Sequence, residues 1–361
     1  MKVLVTGTAG FIGSHVAMEL LARGDEVVGF DNLNDYYDVS LKRARLARFA
    51  SHPGYTHVHG DLADRDAVES LFRTHRPDRV VHLAAQAGVR YAAENPHVYV
   101  ASNVTGFLHV IEGCRRHDVA HLVYASTSSV YGANTAMPFT EHQHTEHPLT
   151  LYAATKKANE AMAHSYAHLY GLPSTGLRFF TVYGPWGRPD MALFLFTRAI
   201  LAGEPLRVFN HGRHKRSFTY VDDIVGGVVR ALDRVPTSDT NWLGNQPDPA
   251  TSGVAPYRLY NLGSDQSVEL LRYIEVLEEC LGRRATLQLL PLQAGDVPAT
   301  EADCSDLARD MDYAPRITVE EGVAKFVEWY CRYYGIARRR RAERVRRKAR
   351  GSLAAMQVLE S

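Results

Sequence analysis

Short apolar runs alternate with longer stretches in which apolar residues recur every three or four positions, and this pattern holds through the first half of the chain. "KVLVTG" reads as a strand. "GFIGSHVAMELLARG" then has helical spacing through Ile12, Val16, Leu20 and Leu21 and stops at Gly24. "DEVVGFD", "THVHGDL" and "DRVVHLAA" predict three more strands, separated by the helices "LKRARLARF" and "DAVESLFRTH". The fourth strand is apolar almost throughout, as suits a parallel strand covered on both faces. "VYVASNVTGFLHVIEGCRRH" predicts one long helix, "HLVYAST" a fifth strand, "YAATKKANEAMAHSYAHLYG" a second long helix with a glycine stop, and "PSTGLRFFTVYG" a sixth strand. This order specifies an α/β fold with a doubly wound parallel sheet.

After Gly184 the pattern loosens. "ALFLFTRAILAG" is a helix, "EPLRVF" strand-like, and "SFTYVDDIVGGVVRAL" a strand then a helix. Residues 236–256 are rich in Pro, Ser, Thr, Asn and Gly and read as a loop. "YRLYNLG" with "SVELLRYIEVLEECLG" adds a strand and a helix, and "ATLQLLP" with "TVEEGVAKFVEWYCRYYG" closes the body. The expected organisation is a dinucleotide-binding domain, 1–180 with returns 217–235 and 258–281. A smaller mixed α/β substrate lobe is expected from 181–216, 236–257 and 282–335.

At 361 residues, 45% hydrophobic and 22% charged, the chain can build such a two-part body. No apolar run reaches transmembrane length, and "MKVLVTG" lacks the organisation of an export signal, so a cytoplasmic protein is expected. Cys114, Cys280, Cys304 and Cys331 show no CxxC spacing and read as reduced thiols. The net charge of +1 is uneven: residues 336–361 hold nine Lys/Arg against Glu343 and Glu360, a tail of +7, which leaves −6 on the body. The tail "ARRRRAERVRRKARG" has no interleaved aromatics and reads as a solvated extension, with an anionic membrane surface or nucleic acid as its candidate partner.

"TGTAGFIG" sets Gly7, Gly10 and Gly13 between the first strand and the first helix, for a tight turn, close pyrophosphate approach and close helix–strand packing. Phe11 and Ile12 open that helix, whose N-terminal N–H groups suit phosphate. Asp31 ends the second strand 18 residues past Gly13, placed for ribose hydroxyls. Its charge opposes a 2′-phosphate and Asn32, not Arg, follows, so NAD is favoured over NADP. Asp61 and Leu62, then Leu83, Ala84, Ala85 and Gln86, close the third and fourth strands on the dinucleotide edge, and Asn103 joins the expected cofactor set.

Tyr152 and Lys156 are one helical turn apart. An ammonium and a nicotinamide cation both lower a phenol's pKa, making a tyrosine able to take a proton from a sugar hydroxyl. Thr127, ending the fifth strand, can bond the same hydroxyl.

"TGTAGFIG", "HLAAQAGVRY", "ASTSSVYG", "YAATKKANE" and "RFFTVYGPWGRPDMA" together resemble the extended short-chain dehydrogenase/reductase family, and within it the nucleotide-sugar 4-epimerases of the UDP-glucuronate type. The resemblance covers Met1 to about Gly335. It implies Tyr152 as base, Lys156 as its tuner and holder of the nicotinamide ribose, Thr127 as hydroxyl partner, and a homodimer paired through the two long helices. Related dehydratases carry an Asp-Glu pair after the threonine, and decarboxylases a glutamate before "VYG". Here those positions are Ser128 and Ser129, which leaves oxidation and re-reduction at C4.

The substrate implied is a UDP-sugar acid. Arg188 is expected near the sugar carboxylate, Arg216 near the diphosphate, and Arg90 is a third cation more readily read as a surface ion pair. Thr181 stands where galactose epimerases have asparagine and, with Ser128, can bond a carboxylate. Gln293 replaces an arginine common before the Gly295-Asp296 pair. His142, His144 and His147 lack metal-ligand spacing, so no metal is expected, and Trp329, Tyr330, Tyr333 and Tyr334 read as core. The expected reaction interconverts UDP-glucuronate and UDP-galacturonate. The alternatives are a UDP-glucose 4-epimerase and a non-catalytic dinucleotide-binding regulator with a nucleic-acid-binding tail.

Overall fold

Seven parallel strands organise the molecule, a computed structural model that describes residues 1–292 and 297–337. They are β1 (Lys2–Thr6), β2 (Glu26–Asp31), β3 (Tyr55–His59), β4 (Arg79–His82), β5 (His121–Thr127), β6 (Ser174–Phe179) and a last strand, Tyr257–Leu262. The last strand pairs with β6, and the sheet then runs β5, β4, β1, β2, β3. The chain therefore reverses direction between β1 and β4, the switch point at which doubly wound sheets open a crevice.

Alternation along each strand sends side chains to two separate cores. Val3, Val5, Val27 and Val123 join one apolar cluster with α1 (Phe11–Arg23) and the helix Val221–Asp233. Leu4, Val28, Val80 and Leu122 join the other, under the helices Arg65–His75 and Gly106–Arg116. α1 ends at Gly24, whose φ of +94° suits glycine.

Three predicted elements differ. The long helix before β5 is α-helical at Pro96–Tyr99, π-helical at Val100–Thr105 and α-helical again at Gly106–Arg116. The wide turn surrounds Asn103, whose carbonyl accepts from Asn159 Nδ2 at 2.6 Å. The sixth strand divides at Phe180: Ser174–Phe179 stays in the main sheet, and Thr181–Tyr183 pairs with Phe218–Tyr220. The return expected at 258–281 also divides. Tyr257–Leu262 completes the main sheet, whereas Leu270–Leu281 packs on the helices Ala192–Ala202 and Val319–Tyr333.

The part expected as the substrate lobe holds these three helices and the small pairings Lys215–Arg216 with Val268–Glu269 and Leu206–Val208 with Leu287–Leu289. The aromatic stripe packs there: Trp329 lies 5.2 Å from Trp186 and 5.5 Å from Tyr333, ring centre to ring centre. No helix among the described residues is long and apolar enough to cross a membrane. Gln293, Gly295, Asp296 and the basic tail from Arg338 lie outside the described residues.

Candidate active site

A cleft of about 1230 Å³ runs along the carboxyl ends of the strands into the lobe, large enough for a dinucleotide and a second ligand side by side. One end is shaped by the loop after β1. Gly7 holds φ +79°, and a Cβ on Gly13 would stand 2.0 Å from the Gly7 carbonyl oxygen. A Cβ on Gly10 would meet the same oxygen at 2.9 Å. Only glycines let the loop fold back this far onto the start of α1. Asp31 is bonded into this loop: Ala9 N donates to Oδ2 at 3.0 Å and Leu33 N to Oδ1 at 2.9 Å. Asn32 Nδ2 donates to Asp61 Oδ2 at 2.9 Å, which joins the ends of β2 and β3.

Of the expected cofactor residues, Gly7, Gly10, Phe11, Ile12, Gly13, Asp31, Asn32, Asp61, Leu62, Leu83, Ala84, Ala85 and Gln86 all line the cleft. Asn103 lies behind its wall. Its amide accepts from Gln86 N at 2.8 Å and donates to the Gln86 carbonyl at 3.0 Å and Thr155 Oγ1 at 3.1 Å. It positions the Gln86 backbone.

The helix Leu151–Tyr170 is capped by Thr150, whose hydroxyl accepts from Ala153 N at 3.2 Å. It turns Tyr152 and Lys156 into the cleft opposite Thr127, Ser128 and Ser129. Tyr152 and Thr127 line the same cleft, and Thr127 Oγ1 accepts from Ser129 N at 3.2 Å. Burial pushes the Tyr152 phenol up, against the lowering effects of the Thr127 hydrogen bond and the Arg188 charge. Burial outweighs both lowering influences. Lys156 is fully enclosed, and burial brings its ammonium down to about 8, opposed by Glu160. Its Nζ lies 3.4 Å from Asn159 Oδ1.

The three arginines all line the cleft, each with a protein partner. Arg188 forks onto Asp190, with Nε 3.0 Å from Oδ1, and Tyr36 donates to the same carboxylate at 3.2 Å. Arg216 donates to the carbonyls of Val297 at 2.6 Å and Pro298 at 3.0 Å. Arg90 lies 5.5 Å over the Phe209 ring rather than in the expected surface ion pair. Thr181 and Ser128 both line the cleft. His142 sits between Asp248 at 2.8 Å and Asp306 at 3.2 Å.

Several lining residues carried no sequence signal. Tyr36 and Lys42, from the loop and helix after β2, enter the cleft, with Lys42 Nζ bonded to the Asn34 carbonyl at 2.6 Å. Behind the lining, the fully buried Tyr99 packs edge-on to Tyr152 at 6.3 Å and donates to the Ala87 carbonyl at 3.1 Å. "NDYYD" shows two tyrosines in a loop, and loop residues have no period from which direction can be read.

A glycine cradle at a sheet switch point, opening onto a Thr–Tyr–Lys set, defines a dinucleotide-dependent enzyme acting on a hydroxyl-bearing substrate. The chain belongs to the NAD dependent epimerase/dehydratase family, whose model matches residues 3–244. An Escherichia coli O111:H- protein, named only as an uncharacterized 37.6 kDa protein in the cld 5′ region, is 54% identical over 93% of this chain and 100% of its own. A probable UDP-glucuronate 4-epimerase of Rhizobium meliloti (strain 1021) is 49% identical over 92% of this chain and 98% of its own. The crystal structure of UDP-glucuronic acid 4-epimerase from Bacillus cereus in complex with UDP-glucuronic acid and NAD matches with a TM-score of 0.82 at 30% identity. That match covers 92% of this chain and 100% of the other. NAD is the cofactor, and the glycine cradle and Asp31 fit it.

Proposed function

We propose that this enzyme interconverts UDP-glucuronate and UDP-galacturonate through a 4-keto sugar. Bound NAD supplies hydride transfer from C4 and back to the opposite face. Tyr152, within reach of Thr127, removes the O4 proton and later restores it. Lys156 holds a positive charge one turn behind the phenol and favours its ionised form. Ser128 and Ser129 put no carboxylate on the intermediate, so dehydration and decarboxylation lack an acid–base group there. The observation that carries the reading is Arg188: it lines the same cleft as Tyr152 and acts on its phenol, so a cation stands where a sugar acid would turn.

The Gly184–Met191 loop with Arg188 binds the sugar end, with Thr181 and Ser128 as hydroxyl donors, and Arg216 faces the diphosphate. NMR analysis of products from UDP-glucuronate and from UDP-glucose tests the proposal. Galacturonate product from the first at the higher kcat/KM is expected. Preferential turnover of UDP-glucose would make the enzyme a glucose epimerase.

The working form is read as a cytoplasmic homodimer. The helices Gly106–Arg116 and Leu151–Tyr170 support this, because Leu108, Leu169 and Tyr170 stay exposed on them. The basic tail is assigned no part in catalysis. Its proposed partner is an anionic membrane surface.

A further inference from the structure

Arg45, like Arg178, is an arginine at 0% exposure, but no carboxylate among the described residues pairs with Arg45. It sits on α2 (Val39–Ala47) and points inward beside Leu41 and Lys42. A buried guanidinium without a counter-ion is retained only where its donors are well used. Here four bonds use them. Nε donates to the Trp186 carbonyl at 2.9 Å and Nη2 to the Gly187 carbonyl at 3.0 Å. Nη1 donates to the Ala9 carbonyl at 3.0 Å and to Tyr37 Oη at 2.6 Å.

Tyr37 stands just before α2, and the three carbonyl acceptors lie on two loops that otherwise belong to different halves of the cleft. Ala9 immediately precedes Gly10, the N-cap of α1, and its N–H is already held by Asp31. Trp186 and Gly187 immediately precede Arg188. Trp186 holds φ +64°, a conformation unusual outside glycine, with the Arg48 guanidinium 4.9 Å from its ring. Arg45 itself is not part of the cleft lining.

We propose that Arg45 is a positioning residue that fixes the cofactor's glycine loop and the sugar-binding Gly184–Met191 loop to one another, so that one guanidinium sets both sites. The inference rests on the reading of that second loop as the sugar loop. Planarity and five donors, not charge, are the property required: a lysine ammonium has three donors and no fork.

The test uses Arg45→Gln and Arg45→Lys in the full-length NAD-loaded enzyme. Expected for both is release of NAD at least tenfold faster, a KM for UDP-glucuronate raised at least tenfold, and kcat at saturation within fivefold of wild type. A folded variant with NAD release and KM both within twofold of wild type overturns the proposal, as does movement of only one of them. Full rescue by Arg45→Lys overturns the role of the fork. Should the variants not fold, hydrogen exchange on the wild-type holoenzyme decides. UDP should slow exchange in both 7–13 and 184–191, and protection confined to one segment overturns the coupling. NAD release and exchange are read without turnover, so failure of the epimerase reading leaves this test standing.

Discussion

The Ser126 hydroxyl donates to Glu160 Oε1 at 2.6 Å, which bonds the end of β5, next to Thr127, to the helix that carries Tyr152 and Lys156. Arg178 of β6 grips the same carboxylate with Nε at 2.9 Å and Nη2 at 3.0 Å, and both partners are almost wholly buried. This clamp sets the distance between the two sides of the catalytic site. Removing one member strands a buried charge, which costs about 3–5 kcal/mol. Arg178→Met should lose that much stability in urea unfolding. The double variant Glu160→Gln/Arg178→Met should lose less than the two single losses added together, because the pair acts as a unit.

Tyr152→Phe removes only the ionisable oxygen. The variant should fold, keep NAD, and lose about 10²-fold or more in kcat. In the wild type the phenol is pushed up by burial, so turnover should rise with pH as phenolate forms. Lys156→Met, lacking the ammonium, should move that rise to higher pH. A kcat–pH profile of both enzymes checks this.

Arg188→Ala should weaken use of UDP-glucuronate about tenfold or more, the equivalent of losing one charge-assisted hydrogen bond of roughly 1.5–3 kcal/mol. UDP-glucose, without the carboxylate, should suffer less. Equal loss in kcat/KM for both sugars would move Arg188 to the diphosphate or to loop structure, where its fork onto Asp190 already gives it a part.

Glu141 is 1% exposed, and burial raises its carboxyl to about 7, although Asn261 N donates to it at 2.6 Å. A raised folded-state pKa gives stability that is complete below about 4.5 and is lost as pH climbs through about 7. Over that window the protein should lose roughly 3 kcal/mol from this group. Glu141→Gln keeps the acceptor oxygen and removes the titration. It should match wild type at pH 5 and melt at a higher temperature at pH 8.

Gly13→Ala should abolish tight NAD retention, because its Cβ would stand 2.0 Å from the Gly7 carbonyl oxygen and force the loop off α1. Gly24→Ala has open space around its Cβ and only the φ of +94° against it. It should lose a little stability and retain its cofactor. Cofactor content of the purified variants, read by absorbance after release, separates the two.

Much of this molecule is settled by local pattern. The glycine triplet with Asp31, and Tyr152 with Lys156, are spacings within one turn or one βαβ unit, where 3.6-residue and two-residue periods already fix direction. The alternation of apolar runs likewise determines the parallel sheet, since each strand must be covered by the helix that follows it. Asn103, by contrast, looks like a cofactor ligand in the sequence. It stands behind the wall on a π-helical stretch inside one predicted helix, bonded to Gln86 and Thr155.

What only the tertiary structure decided is which distant segments share a polar group. Arg45 lies 141 residues from Trp186 and Ser126 lies 34 from Glu160, and no period relates them. Their burial contradicts the outward placement that composition alone gives an arginine or a glutamate. A buried charge holds its place only when several acceptors or donors converge on it, and those partners come from loops whose conformation packing determines. The sequence by itself determined the chemistry at the end of each strand; packing of the lobe against the sheet decided how the two halves of the cleft are held together.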